Sequence, residues 1–257
     1  MRFVKDILDV LNIIGMQRGG NNIITLHVSS AGGAAKLSCN GTIYVTHITG
    51  GVEQTDIYNN LVQQDTYFQA DANTTITIRG NITEFISPYF AYFDAIDLRG
   101  CKSLTTLSIN GTAITDIDIS ENTALTVALI ANNPALANIN VGVLPNLQQF
   151  DFSYQSQITT IDISGLVSLQ QVHGANTGIA TIDLTNNLQL TAAMFESCAN
   201  LTTIRCRALD SNMAAGIADT IQYNSGNAGT VYCDPADPYY SVIQTAANTY
   251  GWTIQTL

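Results

Sequence analysis

Four aspartates, Asp97, Asp118, Asp162 and Asp183, share one spacing with Asn140: successive members of the series stand 21, 22, 22 and 21 residues apart. Each lies between two apolar residues, as in Ile117-Asp118-Ile119. Side chains so far apart in sequence meet only if the chain returns to the same place every 21 or 22 residues. In a stack of parallel strands they would form a column about 4.8 Å apart. Such a column has three chemical uses. Each carboxylate can accept hydrogen bonds from nearby hydroxyls or turn amides, as Asx residues do. The line can hold a cation or polar ligand, or it can face a basic patch on a partner. Asn140 interrupts the run of charge, and no curved loop of oxygen ligands accompanies it, so no metal is expected.

Other reactive side chains are scattered. The five cysteines, Cys39, Cys101, Cys198, Cys206 and Cys233, include no C-x-x-C pair, and too few stand close in sequence for a disulfide framework in a chain of 257 residues. Buried free thiols are the expectation. Cys101, Cys198 and Cys206 fall where other repeats place core residues. His173 takes an outward strand position and has no Cys, Asp or His beside it in sequence. The Gly-Gly pairs at 19–20 and 50–51 lack the lysine, strand and helix of a phosphate loop. H-E-x-x-H, G-x-S-x-G, G-x-G-x-x-G and calcium-loop motifs are absent. These observations predict no catalytic residue and no cofactor, and a protein that is not an enzyme.

Charge excludes a further class. The chain carries nine Lys plus Arg against twenty Asp plus Glu, a net charge of −11, and only 11% of its residues are charged. Nucleic-acid binding needs a basic footprint, which this acidic, weakly charged surface lacks. No apolar stretch reaches the roughly 18 residues of a membrane span. The opening M-R-F-V-K-D-I-L-D-V-L-N-I-I-G-M-Q-R-G-G contains Asp6 and Asp9 inside its apolar run and no A-x-A site follows, so no signal peptide is recognisable.

The elements that must position the aspartates are legible as two interleaved series. One begins at Ile82, Leu104, Leu125, Leu147, Leu169 and Leu190; the other at Phe93, Ile114, Leu136, Ile158, Ile179 and Leu201. Most members have the form L-x-x-L-x-L. The closing L-x-L is a short strand whose alternate side chains turn inward, which sends Ile117 and Ile161 to the core and the aspartates outward. One such coil cannot bury its apolar side alone, whereas stacked coils can. Repetition at a fixed period of this length therefore predicts a solenoid.

These nested L-x-x-L-x-L halves resemble the leucine-rich-repeat superfamily, in its short bacterial subclass of roughly 21-residue repeats. The resemblance covers about residues 82–206. It implies a parallel β-solenoid whose surface binds proteins, and asparagines that bond backbone around the turns. Asn122, Asn133 and Asn187 match that asparagine, while Thr112, Gln155 and Thr177 break a continuous ladder.

The flanks divide the remainder. Residues 21–80 carry short alternating runs, N-I-I-T-L-H-V, A-K-L-S-C, T-I-Y-V-T-H-I and T-T-I-T-I-R-G, and read as a small β-domain leading into the first coil. The S-A-G-G-A-A stretch between the first two reads as a loose hairpin. Residues 81–207 form the solenoid. Residues 208–257 read as an α/β cap: a helix over 211–224 started by Ser211, a strand G-T-V-Y-C, a helix started by Asp237 and Pro238 and ended at Gly251, and a last strand W-T-I-Q-T-L. Residues 1–20 read as a helix with a narrow polar stripe. Phe3, Ile7, Leu8, Leu11 and Ile14 belong to its apolar majority, which wants burial on nearly all sides. It either packs on its own β-domain or anchors the chain in a partner or an assembly.

The functional expectation is a non-enzymatic structural or binding protein that uses a solenoid surface. The resemblance implies a bacterial cell-surface adhesin, with a protein or host-surface ligand as partner. Without an export signal, the same repeats fit a component of a larger assembly or oligomer, such as a bacteriophage virion (capsid or tail appendage).

Overall fold

A computed structural model of the protein describes residues 22–29, 34–62, 64–67, 70–87 and 93–257. The candidate anchor residues Phe3, Ile7, Leu8, Leu11 and Ile14 lie outside them, as do residues 30–33 of the S-A-G-G-A-A stretch.

The first repeat series builds one long parallel sheet. Its strands are β5 (Thr74–Ile86), β7 (Thr106–Asn110), β9 (Val127–Ala131), β11 (Gln149–Asp151), β12 (Gln171–His173) and β14 (Ala192–Met194). Each pairs with the next in parallel, shifted by one coil: Leu107 faces Ala128, Ala128 faces Phe150, Phe150 faces Val172, and Val172 faces Ala193. The second series gives shorter strands, β6 (Phe93–Asp97), β8 (Asp116–Asp118), β10 (Asn138–Asn140), β13 (Thr181–Asp183) and β15 (Thr203–Cys206). β8 pairs with β10 and β13 with β15, again in parallel. The stacked coils thus form a parallel β-solenoid, compatible with a leucine-rich-repeat-like fold. Between the two series lies a core of completely buried Leu and Ile side chains, each worth about 1.5–3 kcal/mol relative to exposure.

Ile117 is buried, whereas Ile161 is only partly so. The run 158–163 forms no strand although Ile158 and Ile163 are buried. Position 174 in the core also departs from the pattern, because Gly174 stands where neighbouring coils place Phe152 and Phe195. Those rings, with centroids 6.4 Å apart, fill its space, and a Cβ on Gly174 would lie 2.6 Å from the Phe152 ring.

The turns explain why the asparagines are discontinuous. After β7, β9, β11, β12 and β14 one residue takes a left-handed conformation: Gly111, Asn132, Tyr154, Asn176 and Ser197, with φ between 56° and 66°. The next residue is buried: Thr112, Asn133, Gln155, Thr177 and Cys198. Asn133 donates to the Ile109 carbonyl at 3.0 Å and accepts both the Thr112 amide and its hydroxyl. Gln155 reaches the Ile130 carbonyl with its longer side chain. Asn122 and Asn187 belong to the other turn column. Asn122 donates to the Leu98 and Cys101 carbonyls, and Asn187 to those of Ile163 and Leu166. The three asparagines therefore sit in two columns, and different side chains satisfy the same buried backbone groups.

At the N-terminal end, β1 (Ile23–Val28) lies antiparallel between β5 and β6 and joins the two faces of the first coil. Runs read as two separate strands merge into one 16-residue strand, β2 (Ala34–Thr49), with a register shift around Gly41. Two further strands had no signal in the sequence, β3 (Val52–Asn59) and β4 (Gln64–Tyr67). β3 is almost wholly exposed, so it lacks the apolar alternation that marks a half-buried strand. It pairs with β2 through Gly50-Gly51, both with positive φ, as a tight hairpin turn requires. The Asp71 carboxylate accepts both glycine amides, at 3.0 and 2.7 Å.

The C-terminal strands β16 (Thr230–Cys233) and β17 (Thr253–Gln255) extend the second-series sheet in parallel from β15. Helices α1 (Ser211–Tyr223) and α2 (Tyr240–Tyr250) alternate with them in sequence; α1 packs against β14 and α2, and α2 against β17. Both expected helix starts are corrected. Asp210, not Ser211, accepts the first amides of α1, from Asn212 and Met213. α2 begins three residues after Asp237, because the Asp237 carboxylate is taken by the Arg207 guanidinium and the Ala208 amide. Gly251 ends α2 in the left-handed conformation, as expected. All five cysteines are buried with free thiols.

Candidate functional site

Asp97, Asp118, Asn140 and Asp183 end β6, β8, β10 and β13, and Asp162 takes the same place in its coil. Asp118 stands in register with Asn140, and Asp183 with Arg205. The column is thus assembled, and each aspartate in it is used locally. Oδ1 accepts the amide two residues on: Arg99 for Asp97, Ser120 for Asp118, Ser164 for Asp162 and Thr185 for Asp183, at 3.0 to 3.1 Å. The Ser120 and Thr185 hydroxyls donate to the same oxygens at 2.6 Å. These are Asx turns that bend the chain out of each short strand. Arginines neutralise both ends of the column. Arg99 donates to both oxygens of Asp97, and the Arg205 Nε lies 3.3 Å from Asp183.

Electrostatics follows this bonding. The Arg99 side chain, opposed by a smaller desolvation, holds the Asp97 carboxyl below its usual range. At Asp118 burial acts upward, and the Ser120 hydroxyl and amide, Asn140 and Arg99 together outweigh it, so the net direction is down. The Ser164 hydrogen bonds lower Asp162. These bonds favour the anionic form of Asp97, Asp118 and Asp162. Among the described residues, no group of three His, Cys, Asp or Glu side chains is placed to hold a metal ion.

A second surface lies on the first-series sheet, and the sequence reading did not single it out. Outward residues of adjacent strands line up one coil apart: Leu129 with Asp151, Asp151 with His173, and His173 with Met194. Asp151, His173 and Met194, with Asn110, Asn132, Tyr154 and Glu196, line a shallow groove of about 600 Å³. Tyr154 projects from its left-handed turn with 61% of its surface exposed. Asp151 is partly engaged, accepting the Ser153 amide at 2.9 Å. His173, isolated in sequence, therefore has a carboxylate neighbour in space. The signal available was the 22-residue interval from Asp151 to His173. The groove offers acceptors, an imidazole, a phenol and a thioether over several coils. That mixture suits a broad, mixed polar and apolar contact.

No protein-family model matches the sequence, and no curated protein matches it. Among solved structures, the functional domain of InlJ from Listeria monocytogenes, described as including a cysteine ladder, is similar over 60% of this chain, at 20% identity and a TM-score of 0.37. The similarity spans 39% of that chain. Among the described residues, no helix is long and apolar enough to cross a membrane.

Proposed function

We propose that the protein is a non-enzymatic structural or binding protein that presents its solenoid surface to a protein partner or host-surface ligand within a larger assembly, such as a bacteriophage virion. The observation that carries this reading is the open groove shared by successive coils from Asn110 to Glu196. Its breadth fits a macromolecular surface better than a small substrate. In this reading the coils belong to the short leucine-rich-repeat subclass. The antiparallel strands before them and the α/β segment after them close the apolar ends that a solenoid would otherwise expose. The aspartate column serves as structure, and Phe3, Ile7, Leu8, Leu11 and Ile14 serve as the attachment segment.

Co-sedimentation with purified particles from a producing host tests the assembly. The full chain is expected to travel with particles and the chain lacking residues 1–18 to remain in the supernatant. A full-length protein that stays monomeric and unattached would overturn the assembly reading.

A further inference from the structure

We propose that the outer edge of β3 pairs antiparallel with β3 of a second copy of this chain, about a twofold axis through Thr55. Among the described residues β3 pairs with β2 alone. Val52 and Ile57 on it are 61% and 60% exposed. Such an edge is a template for another strand, and proteins commonly blunt it with Lys, Pro or a bulge. The run V-E-Q-T-D-I-Y-N over 52–59 contains no Lys, Arg or Pro, and its register with β2 is unshifted.

The hairpin turn decides which main-chain groups face outward. Thr49 and Val52 close the two-residue Gly50-Gly51 turn and so exchange both of their main-chain bonds. Bonded and non-bonded pairs alternate from there. Gln54 and Asp56 therefore turn their amides and carbonyls to β2, whereas Glu53, Thr55 and Ile57 turn theirs away. The Thr46 and Thr55 hydroxyls meet at 3.0 Å, as expected of the closer side chains in a non-bonded pair.

The order of side chains selects the occupant. Val52, Gln54, Asp56 and Tyr58 share one face of β3, and Glu53, Thr55 and Ile57 share the other. A twofold axis through Thr55 brings like faces of the two copies together. Val52 then lies opposite Tyr58 of the second copy, Gln54 opposite its Asp56, Glu53 opposite its Ile57 and Thr55 opposite its Thr55. An apolar side chain meets an aromatic one, an amide meets a carboxylate and a hydroxyl meets a hydroxyl, pairs that stabilise a sheet. No carboxylate faces another. His47 occupies Oδ2 of Asp56 at 3.0 Å, which leaves Oδ1 for the Gln54 amide. The outward amides and carbonyls of Glu53, Thr55 and Ile57 meet those of Ile57, Thr55 and Glu53.

The adjacent registers are worse. Centring on Asp56 sets two carboxylates against each other, and centring on Gln54 places Ile57 and Tyr58 opposite the turn glycines. The result is an isologous contact that runs the 11-stranded sheet of one copy into that of the next. It is independent of what the groove binds and of residues 1–18.

Light scattering over a dilution series tests the pairing. It is run at physiological salt, which screens the net charge of −11 on each copy. The full chain is expected to pass from the chain mass to twice that mass as concentration rises. Thr55→Pro removes an amide that does not serve β2, a change an edge strand tolerates. It should weaken association at least tenfold with an unchanged circular dichroism spectrum, while Thr55→Val, which keeps the amide, should still dimerise. Hydrogen exchange of the unsubstituted chain gives a second readout. The amides of Glu53, Thr55 and Ile57 should exchange about tenfold more slowly at concentrations where the mass has doubled. A chain that stays monomeric throughout, a Thr55→Pro variant that dimerises like the parent, or exchange at these amides that is indifferent to concentration would overturn the proposal.

Discussion

At the residue scale, one turn chemistry recurs around the solenoid. The aspartates of the column accept the amide two residues on, so their charge stabilises local backbone. Asp237 uses its carboxylate differently. Its side chain is 1% exposed, receives the Arg207 guanidinium at 2.7 to 3.0 Å, and accepts the Ala208 amide at 2.9 Å. Burial acts upward on its pKa, and the Arg207 and Ala208 bonds outweigh that and depress it. Asp237→Ala would leave the Ala208 amide unpaired and the half-exposed Arg207 without its partner. A loss of about 2 kcal/mol in denaturant unfolding is expected, with Asp237→Asn losing less. The sign of the acid response follows from the same bonds. Asp97, Asp118, Asp162 and Asp237 all have folded pKa values below their unfolded ones. Their contributions are complete above the unfolded value of about 4 and disappear as pH falls through the lower folded values. Melting temperature should therefore decline between about pH 5 and pH 2, and less steeply in Asp162→Asn than in the parent.

At the element scale, coils are interchangeable in outline and specific in packing. Gly174 lets the Phe152 and Phe195 rings meet across a coil that contributes no side chain of its own. Gly174→Val would force a methyl-bearing carbon into the Phe152 ring and should cost about 1–3 kcal/mol. Combining it with Phe152→Leu should recover part of that loss, and a double-mutant cycle with no coupling would contradict the shared space. The turns show the same economy. Thr112, Asn133, Gln155 and Thr177 occupy one column with three different side-chain types, because the requirement is a buried polar group in reach of a carbonyl or amide rather than one residue type.

At the scale of the whole molecule, a single 11-stranded sheet runs from the antiparallel N-terminal strands into the parallel coils. β5 makes the change within one strand. Along one edge its first residues, Thr74 to Arg79, pair antiparallel with β1 and its last, Glu84 to Ile86, pair parallel with β7, while β2 runs antiparallel along the other edge. Solenoid stability is largely a sum of nearest-neighbour contacts, so removing residues 1–18 should leave the coils folded. Circular dichroism and the unfolding midpoint of the truncated chain should stay close to the parent. A cooperative loss of the parallel sheet would mean that the N-terminal segment is part of the core.

The fixed period of apolar residues, by itself, determined the stacked parallel coils and the outward column of aspartates, because short-range alternation repeats at a constant interval and burial demands the same answer in every coil. Beyond the repeat, helical apolar spacing and the glycine at 251 gave the helix–strand order of the C-terminal segment. What depends on neighbours distant in sequence only the tertiary structure decided. β3 is a strand because β2 presents an edge to it. Asp237 turns from a helix start to Arg207 because a buried charge needs its partner more than a helix needs a cap. His173 gains Asp151 as a neighbour only once the coils stack.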